Sequence, residues 1–219
     1  VTYELLSKAR ELADCLDEEV SAAYLGCDIP ENCFDNFCEV GCDRLYLIQD
    51  KALKEYNTEV YTEIVADLIQ QYRPSSVLFP GTENGRDLAP RLSAKLEVGL
   101  TADCTDLRIN ENRELVQIRP TYGGNVIASI ISPYSRPQMA SVRPNVFEMV
   151  KGRKTNIDIV DVPVFLKSEN QVVRKMEVVL KDNGFADVES ADVVLIGGYG
   201  AGKKGFEQIC RLAKIMNAA

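Results

Sequence analysis

Residues 76–96 read SVLFPGTENGRDLAPRLSAKL. The apolar run 76–79 is short and is stopped by Pro80-Gly81, as expected of a buried strand that meets a tight turn. A helix is predicted from about Asp87 to Leu96, with Asp87 as its cap. The stretch Gly81–Asp87 between them would lie at the carboxyl end of a strand, where open α/β sheets bind ligands. Gly85 allows another chain or a ligand to come close. The same stretch also reads as a plain strand-to-helix turn.

Working back towards residue 1, strands and helices alternate. Leu5, Leu6, Ala9, Leu12, Ala13 and Leu16 recur at helical spacing. Residues 19–25 read as a strand ended by Gly26. Pro30 would open a short helix reaching about Val40. Residues 44–49 are a second strand. Thr58 is placed as the cap of a helix whose apolar face is Val60, Ile64, Val65, Leu68 and Ile69, and Pro74 ends it. Such alternation predicts a parallel sheet with flanking helices.

Working forward, the rhythm changes. Residues 101–108, 114–119, 125–132 and 138–143 are four short strand-like stretches with short connections, so an antiparallel meander is expected. Arg73, Arg119, Arg136 and Arg143 each precede a proline. Proline pushes the residue before it towards extended backbone, which aims the side chain. The last three fall near strand ends of the meander and predict one shared surface. Residues 145–165 form a connection with an extended piece, and 174–180 another extended piece. Asp192–Ile196 is expected as a buried strand running into Gly197-Gly198-Tyr199-Gly200-Ala201-Gly202 and a helix from about Lys204 to Met216. Strand, glycine-rich turn and helix is the opening of a nucleotide-binding unit, although the G-x-G-x-x-G spacing is not strictly met.

Composition narrows the chemistry. The 219 residues include 25 Lys+Arg against 33 Asp+Glu, a formal net charge of −8, which argues against a general nucleic-acid binder. There is no histidine, so Ser-His-Asp or Cys-His catalysis and histidine-ligated zinc or haem are excluded. No apolar run reaches the ~20 residues of a membrane helix. Val1 already lies in a helical pattern, so the sequence reads as a fragment. Seven cysteines without a secretory signal fit a reducing cytoplasm. Four of them, Cys27, Cys33, Cys38 and Cys42, cluster as C-x5-C-x4-C-x3-C. An iron–sulfur site is conceivable, but the spacing matches neither common ferredoxin pattern, and small buried hydrophobes are the simpler reading. The charge is uneven. Residues 1–70 carry 16 acidic and 5 basic groups, and between Arg86 and Arg143 stand seven arginines and one lysine. Arginine in preference to lysine suggests bidentate contacts to carboxylate or phosphate, or salt bridges to the acidic first segment.

Four motifs, GRDLAPRLSAKL (85–96), GLTADCTDL (99–107), RPTYGGN (119–125) and RPQMASVRPNVF (136–147), stand in one order and spacing. Together they resemble the α subunit of electron transfer flavoproteins. A weaker resemblance covers the rest of the chain, and VVLIGGYGAGKKGFEQICRLAKIM (193–216) looks like the opening of that family's C-terminal domain. The resemblance implies an α/β fold of the adenine nucleotide α-hydrolase type over 1–165, a linker over 166–184, and the incomplete start of an FAD-binding domain over 185–219. The first strand of the family would then precede Val1.

The resemblance further implies an electron-carrier subunit in a bacterial cytoplasm, not an enzyme in its own right. It would be paired with a β subunit and serve a dehydrogenase such as an acyl-CoA dehydrogenase. FAD would be bound mainly by later C-terminal residues, with a second FAD or AMP in the β subunit. In anaerobic members that second flavin permits electron bifurcation from NADH. Arg143 would face the subunit interface near a flavin, and Gly197, Gly198, Tyr199 and Gly200 would form the cofactor loop. Tyr199 stands where the family usually has an arginine. Arg86, Arg119, Gly123 and Asn125 would make interface contacts. The alternatives are a stand-alone adenine-nucleotide-binding module of the universal stress protein type, and an assembly domain that has lost its flavin.

Overall fold

The computed structural model describes residues 1–30, 33–152, 156–165, 173, 176–177, 179, 188 and 191–219. The chain divides into two compact units, Val1–Arg174 and Lys175–Ala219.

The first unit is built on strands that lie between helices. Helix α1 (Thr2–Leu16) leads into strand β1 (Ser21–Gly26), helix α2 (Phe34–Glu39) and strand β2 (Arg44–Gln49). Helix α3 (Thr58–Tyr72) starts at Asn57, not at the expected Thr58. The Asn57 side chain accepts from the amides of Glu59 and Val60, while Thr58 already has its place in the first turn. Arg73 closes α3 in the left-handed region, φ 48°, so the helix C-cap overrides the extended preference of a residue before proline. Strand β9 (Asp158–Asp161) returns to pair with β2, and the order β1-β2-β9 is parallel throughout. Ile48, Leu53, Val60, Ile64 and Leu68 bury the face of this sheet under α3.

Strand β3 (Ser76–Pro80) and helix α4 (Glu83–Leu96) correct the reading of 81–87. The helix begins four residues earlier than expected, because Thr82 caps it by accepting from the Gly85 amide at 3.3 Å. Only Gly81 and Thr82 remain as connection, and Asp87 lies inside the helix, accepting from the Tyr56 hydroxyl at 2.8 Å. A Cβ on Gly85 would stand 1.9 Å from the Pro80 carbonyl oxygen, so the glycine is required by the approach of helix to strand. Ala89 and Leu92 then bury fully against Phe79 and Met139. At ~1.5–3 kcal/mol for a fully buried large apolar side chain, this packing is a main hold on α4.

Residues 101–108 are two strands, not one: β4 (Leu100–Cys104) and β5 (Asp106–Ile109). The antiparallel meander is β5, β6 (Leu115–Thr121) and β7 (Val126–Ile130). The stretch expected as its fourth strand, β8 (Gln138–Val142), instead crosses over and lies between β3 and β4, parallel to both. All five of its residues are buried, which suits the centre of a parallel sheet and not a half-solvated meander. The β4–β8 register shifts between Thr101 and Cys104, and Asp103 sits in that bulge at φ 61°.

None of the seven cysteines is joined in a disulfide. Cys38 lies in α2 and Cys33 at its start, Cys42 is fully buried, and among the described residues no group of three or more acidic, Cys or His side chains could hold a metal ion. The Cys33 amide donates to the Pro30 carbonyl at 3.2 Å, α2 itself begins at Phe34, and residues 31–32 lie outside the described set. Most of the expected linker 166–184 and of the extended piece 174–180 also lies outside it.

In the second unit, helix α5 (Gly202–Met216) is as expected, but the buried strand at 192–196 is not found. Val194 is 42% and Ile196 88% exposed. The backbone there is tied instead to the end of the chain: Leu195 donates to the Ala219 carbonyl at 2.9 Å, and Ala219 donates to that of Val193 at 3.1 Å. No described helix is long and apolar enough to cross a membrane.

Candidate functional site

The strands β3, β8 and β4 run parallel, so their carboxyl ends share one edge. That edge carries Arg143, the first residue after β8, and Asp103, in the bulge of β4. The Arg143 amide donates to the Cys104 carbonyl at 3.0 Å, and the Asp103 amide donates to Ser141 Oγ at 3.0 Å. These backbone ties face the two side chains towards each other. Arg143 Nε and Nη2 donate to the two oxygens of Asp103 at 3.2 and 2.7 Å, a bidentate fork. The hydrogen bonds from Arg143 hold the Asp103 carboxyl below the usual carboxylate range, and the charges of Arg86 and Arg119 act in the same direction.

Two clefts meet at this pair. Asp103 lines one of about 280 Å³ with Arg86, Pro90, Leu100, Ala102 and Ser141. Arg143 lines the other, about 430 Å³, with Arg119 and the turn from Pro120 to Gly124. Arg86 comes from α4 and Arg119 from β6, so three separate elements besides β8 supply this cluster. Arg119 Nε is buried and has no hydrogen-bond partner among the described residues. The Tyr122–Gly124 turn passes through positive φ at all three residues, 50°, 68° and 91°. Asn125 closes it by donating from Nδ2 to the Tyr122 carbonyl at 3.1 Å.

Of the residues read as interface or cofactor contacts in the first unit, Arg86, Arg119 and Arg143 therefore converge around one carboxylate, and Gly123 belongs to the same cleft wall as Arg119. Asn125 shapes that wall from behind. The expected shared surface of arginines before prolines holds for Arg119 and Arg143. Arg136 does not join it: its Nη1 donates to the carbonyls of Ser132 and Ser135 and braces its own loop. The sequence reading missed Asp103, although it stands inside a quoted motif. An acid within an apolar strand was the available signal.

Gly197, Gly198, Tyr199 and Gly200 belong to the second unit. A Cβ on Gly197 would come within 2.9 Å of the Ile209 Cδ1 and 3.0 Å of the Phe206 ring, so the chain passes close over these side chains of α5. Gly198 and Gly200 have open space around them, and Tyr199 is fully exposed. The amino end of α5 has no side-chain cap, and no acidic residue stands in its first turn, where Lys203 and Lys204 do. A helix start without a side-chain cap and with basic side chains suits a phosphate.

The cluster in the first unit offers fixed positive charge, three guanidinium groups against one carboxylate. Such a site stabilises negative charge that arrives on something else.

Comparison with known proteins gives this arrangement its context. The family model described as "Electron transfer flavoprotein domain" matches residues 1–165. The chain is 36% identical over 218 residues to Protein FixB of Clostridium saccharobutylicum, covering 99% of this chain and 65% of that protein. It is 37% identical over 221 residues to the electron transfer flavoprotein subunit alpha of Clostridium acetobutylicum, covering 99% and 66%. It is also 37% identical over 222 residues to the lactate dehydrogenase (NAD(+),ferredoxin) subunit LctC of Acetobacterium woodii, covering 100% and 52%. The chain thus spans between about half and two thirds of the length of these relatives. With the domain match over residues 1–165, most of its length, the chain belongs to the electron transfer flavoprotein family.

Proposed function

We propose that this chain works as the α subunit of a heterodimeric electron transfer flavoprotein, carrying electrons between a dehydrogenase and a further acceptor. The end-to-end similarity to flavoprotein α subunits carries the reading. A β subunit would complete the carrier, and an acyl-CoA dehydrogenase-type enzyme is the proposed donor. The printed name of LctC keeps a second arrangement in view, in which such a subunit belongs to a dehydrogenase complex that uses NAD+ and ferredoxin.

In this reading 185–219 is the opening of an FAD-binding domain. The exposure of Phe206, Ile215 and Met216 on α5 supports its being part of something larger. The second unit fits a flavin diphosphate: the uncapped start of α5 with Lys203 and Lys204 would hold the phosphates, and Gly198 and Gly200 leave room for close approach. When bound, FAD supplies the electron-carrying chemistry. Arg143 would present a fixed positive charge towards a flavin at the subunit interface, favouring its anionic reduced form. Asp103 keeps that guanidinium in place. Arg86, Arg119, Gly123 and Asn125 would stand at the contact with the β subunit.

The test is a native mass spectrum of the full-length protein after co-expression with a flavoprotein β subunit. A mass of both chains plus flavin is expected. One FAD, with or without AMP, means simple transfer, whereas two FAD mean a bifurcating carrier. A single chain without flavin, or with only ATP or AMP, overturns the reading.

A further inference from the structure

Gln138 on β8 and Gln117 on β6 are both buried in the first unit. Gln138 uses both ends of its amide: Oε1 accepts from the Leu115 amide at 3.4 Å, and Nε2 donates to the Ser132 carbonyl at 3.2 Å. Gln117 has no exposed surface, yet neither its Oε1 nor its Nε2 has a hydrogen-bond partner among the described residues. An amide left in that condition has given up its hydration for nothing. Strand alternation puts Leu115, Gln117 and Arg119 on one face of β6. Leu115 packs there with Leu107, Cys104, Ala140 and Val142, so this is the inner face, turned towards β4 and β8. Arg119 reaches the same seam. Its Nε is buried without a partner among the described residues, and its charge opposes the rise that burial gives the Cys104 thiol. Two residues apart on one strand face, the chain thus carries an unused acceptor and an unused donor that do not bond each other. Positions two apart on a strand lie ~6.5 Å from each other, close to the ~5.5–6 Å that two hydrogen bonds through one oxygen atom cover.

We propose that the seam under β6 is a binding site for an internal water, which accepts from Arg119 Nε and donates to Gln117 Oε1, and that Gln117 is through it the positioning residue of Arg119. The chemistry selects water over an ion. The guanidinium repels a cation, and the amide oxygen, an acceptor only, offers nothing to an anion. A neutral molecule that both donates and accepts satisfies the two groups together, as buried waters do for polar atoms inside proteins. The hydrogens on Gln117 Nε2 provide donors for a second water in the same seam. A leucine at 117 would fill the space as well, but it would leave Arg119 Nε without an acceptor. Anchored at Nε, the guanidinium is held at one end inside the fold, where its direction is set by β6 and not by whatever lies outside. The site stands on this chain's own residues and does not depend on the flavoprotein reading.

The test is a crystal structure of the full-length protein at a resolution that orders internal waters. A water within about 3.2 Å of both Gln117 Oε1 and Arg119 Nε is expected. Gln117→Met keeps a similar volume and removes both polar ends, so the water should be lost and the Arg119 guanidinium should leave its parent position. Gln117→Glu keeps an acceptor oxygen in place and should hold Arg119 where the parent does. In solution, hydrogen exchange at Arg119 Nε, read by 15N nuclear magnetic resonance, should be faster in Gln117→Met by roughly tenfold, the scale of one lost hydrogen bond. In Gln117→Glu it should stay near the parent rate. A packing role alone predicts no change at Arg119 in Gln117→Met, because volume-conserving swaps are well tolerated. A parent structure without a water between the two groups overturns the proposal, and so does a Gln117→Met protein whose Arg119 matches the parent in position and exchange. The parent structure decides the matter even if the methionine variant does not fold.

Discussion

Gly85→Ala should destabilise the first unit far beyond an ordinary glycine-to-alanine change. In a helix that substitution usually stabilises by a few tenths of a kcal/mol or more. Here the new Cβ would stand 1.9 Å from the Pro80 carbonyl oxygen and 3.0 Å from its carbon. Both are backbone atoms of a sheet strand and cannot swing aside. To reach even 3.0 Å from the oxygen, α4 and β3 must separate by about 1 Å. That movement stretches the Thr82 cap, already 3.3 Å long, and a lost cap costs ~1 kcal/mol. It also opens the contact of Ala89 and Leu92 with Phe79 and Met139, for which overpacking strain of ~1–3 kcal/mol is typical. The expected total is ~2–4 kcal/mol. Urea unfolding followed by far-ultraviolet circular dichroism reads it as a lower midpoint at similar slope. Gly99→Ala is the control, because its Cβ would meet only Ser132 Oγ at 3.6 Å, and it should change stability by less than ~0.5 kcal/mol. A Gly85→Ala midpoint equal to that of Gly99→Ala would refute the packing argument.

Other outcomes follow from the same contacts. Asn57→Ala removes the Oδ1 that accepts from both the Glu59 and Val60 amides at the start of α3 and should cost ~1 kcal/mol by the same urea assay, whereas Thr58→Val leaves the cap intact and should cost less. The Asp103 carboxyl is held low by Arg143, so the pair contributes stability above the unfolded carboxyl value of ~3.9 and loses it as pH falls through the lower folded value. The urea midpoints of the parent and Asp103→Asn should therefore differ at pH 6 and converge near pH 2. The gap will be small because both side chains are partly exposed. Burial pushes the Cys42 thiol up to about 12 and the Cys104 thiol up to about 11. At pH 8 a thiol reagent should modify the exposed Cys15 and reach Cys42 and Cys104 only after unfolding, as read by peptide mass spectrometry.

The parallel α/β frame was legible because helical spacing and short apolar runs alternate up to residue 96. The ends of α3 and α4 were missed by one and four residues, since Asn57 and Thr82 are as capable of capping as Thr58 and Asp87. Which one serves depends on where the strands deliver the chain. The larger miss is β8. Its short connection to β7 suggested a hairpin, yet Gln138–Val142 has no polar alternation, and that continuity fits a strand covered on both faces. The arginines of the site were visible through their prolines and glycines. Asp103 was not, because its meeting with Arg143 exists only in the register of β4 against β8. In the second unit, the apolar run 193–196 carried a strand signal, and among the described residues its backbone is bonded to Ala219 alone, too short a contact to make a strand ladder.

The place of β8 also sets a timetable for synthesis. β3 and β4 are neighbours in the chain, but among the described residues each pairs only with β8, so Ser76 must wait for Gln138. A ribosome adding ~5–20 residues per second leaves both strands without their partner for several seconds. The local hairpins β5–β6 and β6–β7 can close as they emerge, whereas the parallel sheet requires a long loop to be brought together first. During that interval the apolar sides of α4 and β3 are exposed to other nascent chains. Slowing translation just before codon 138 should therefore lower the soluble yield of this protein, whereas a pause after residue 142 has emerged from the exit tunnel should spare it.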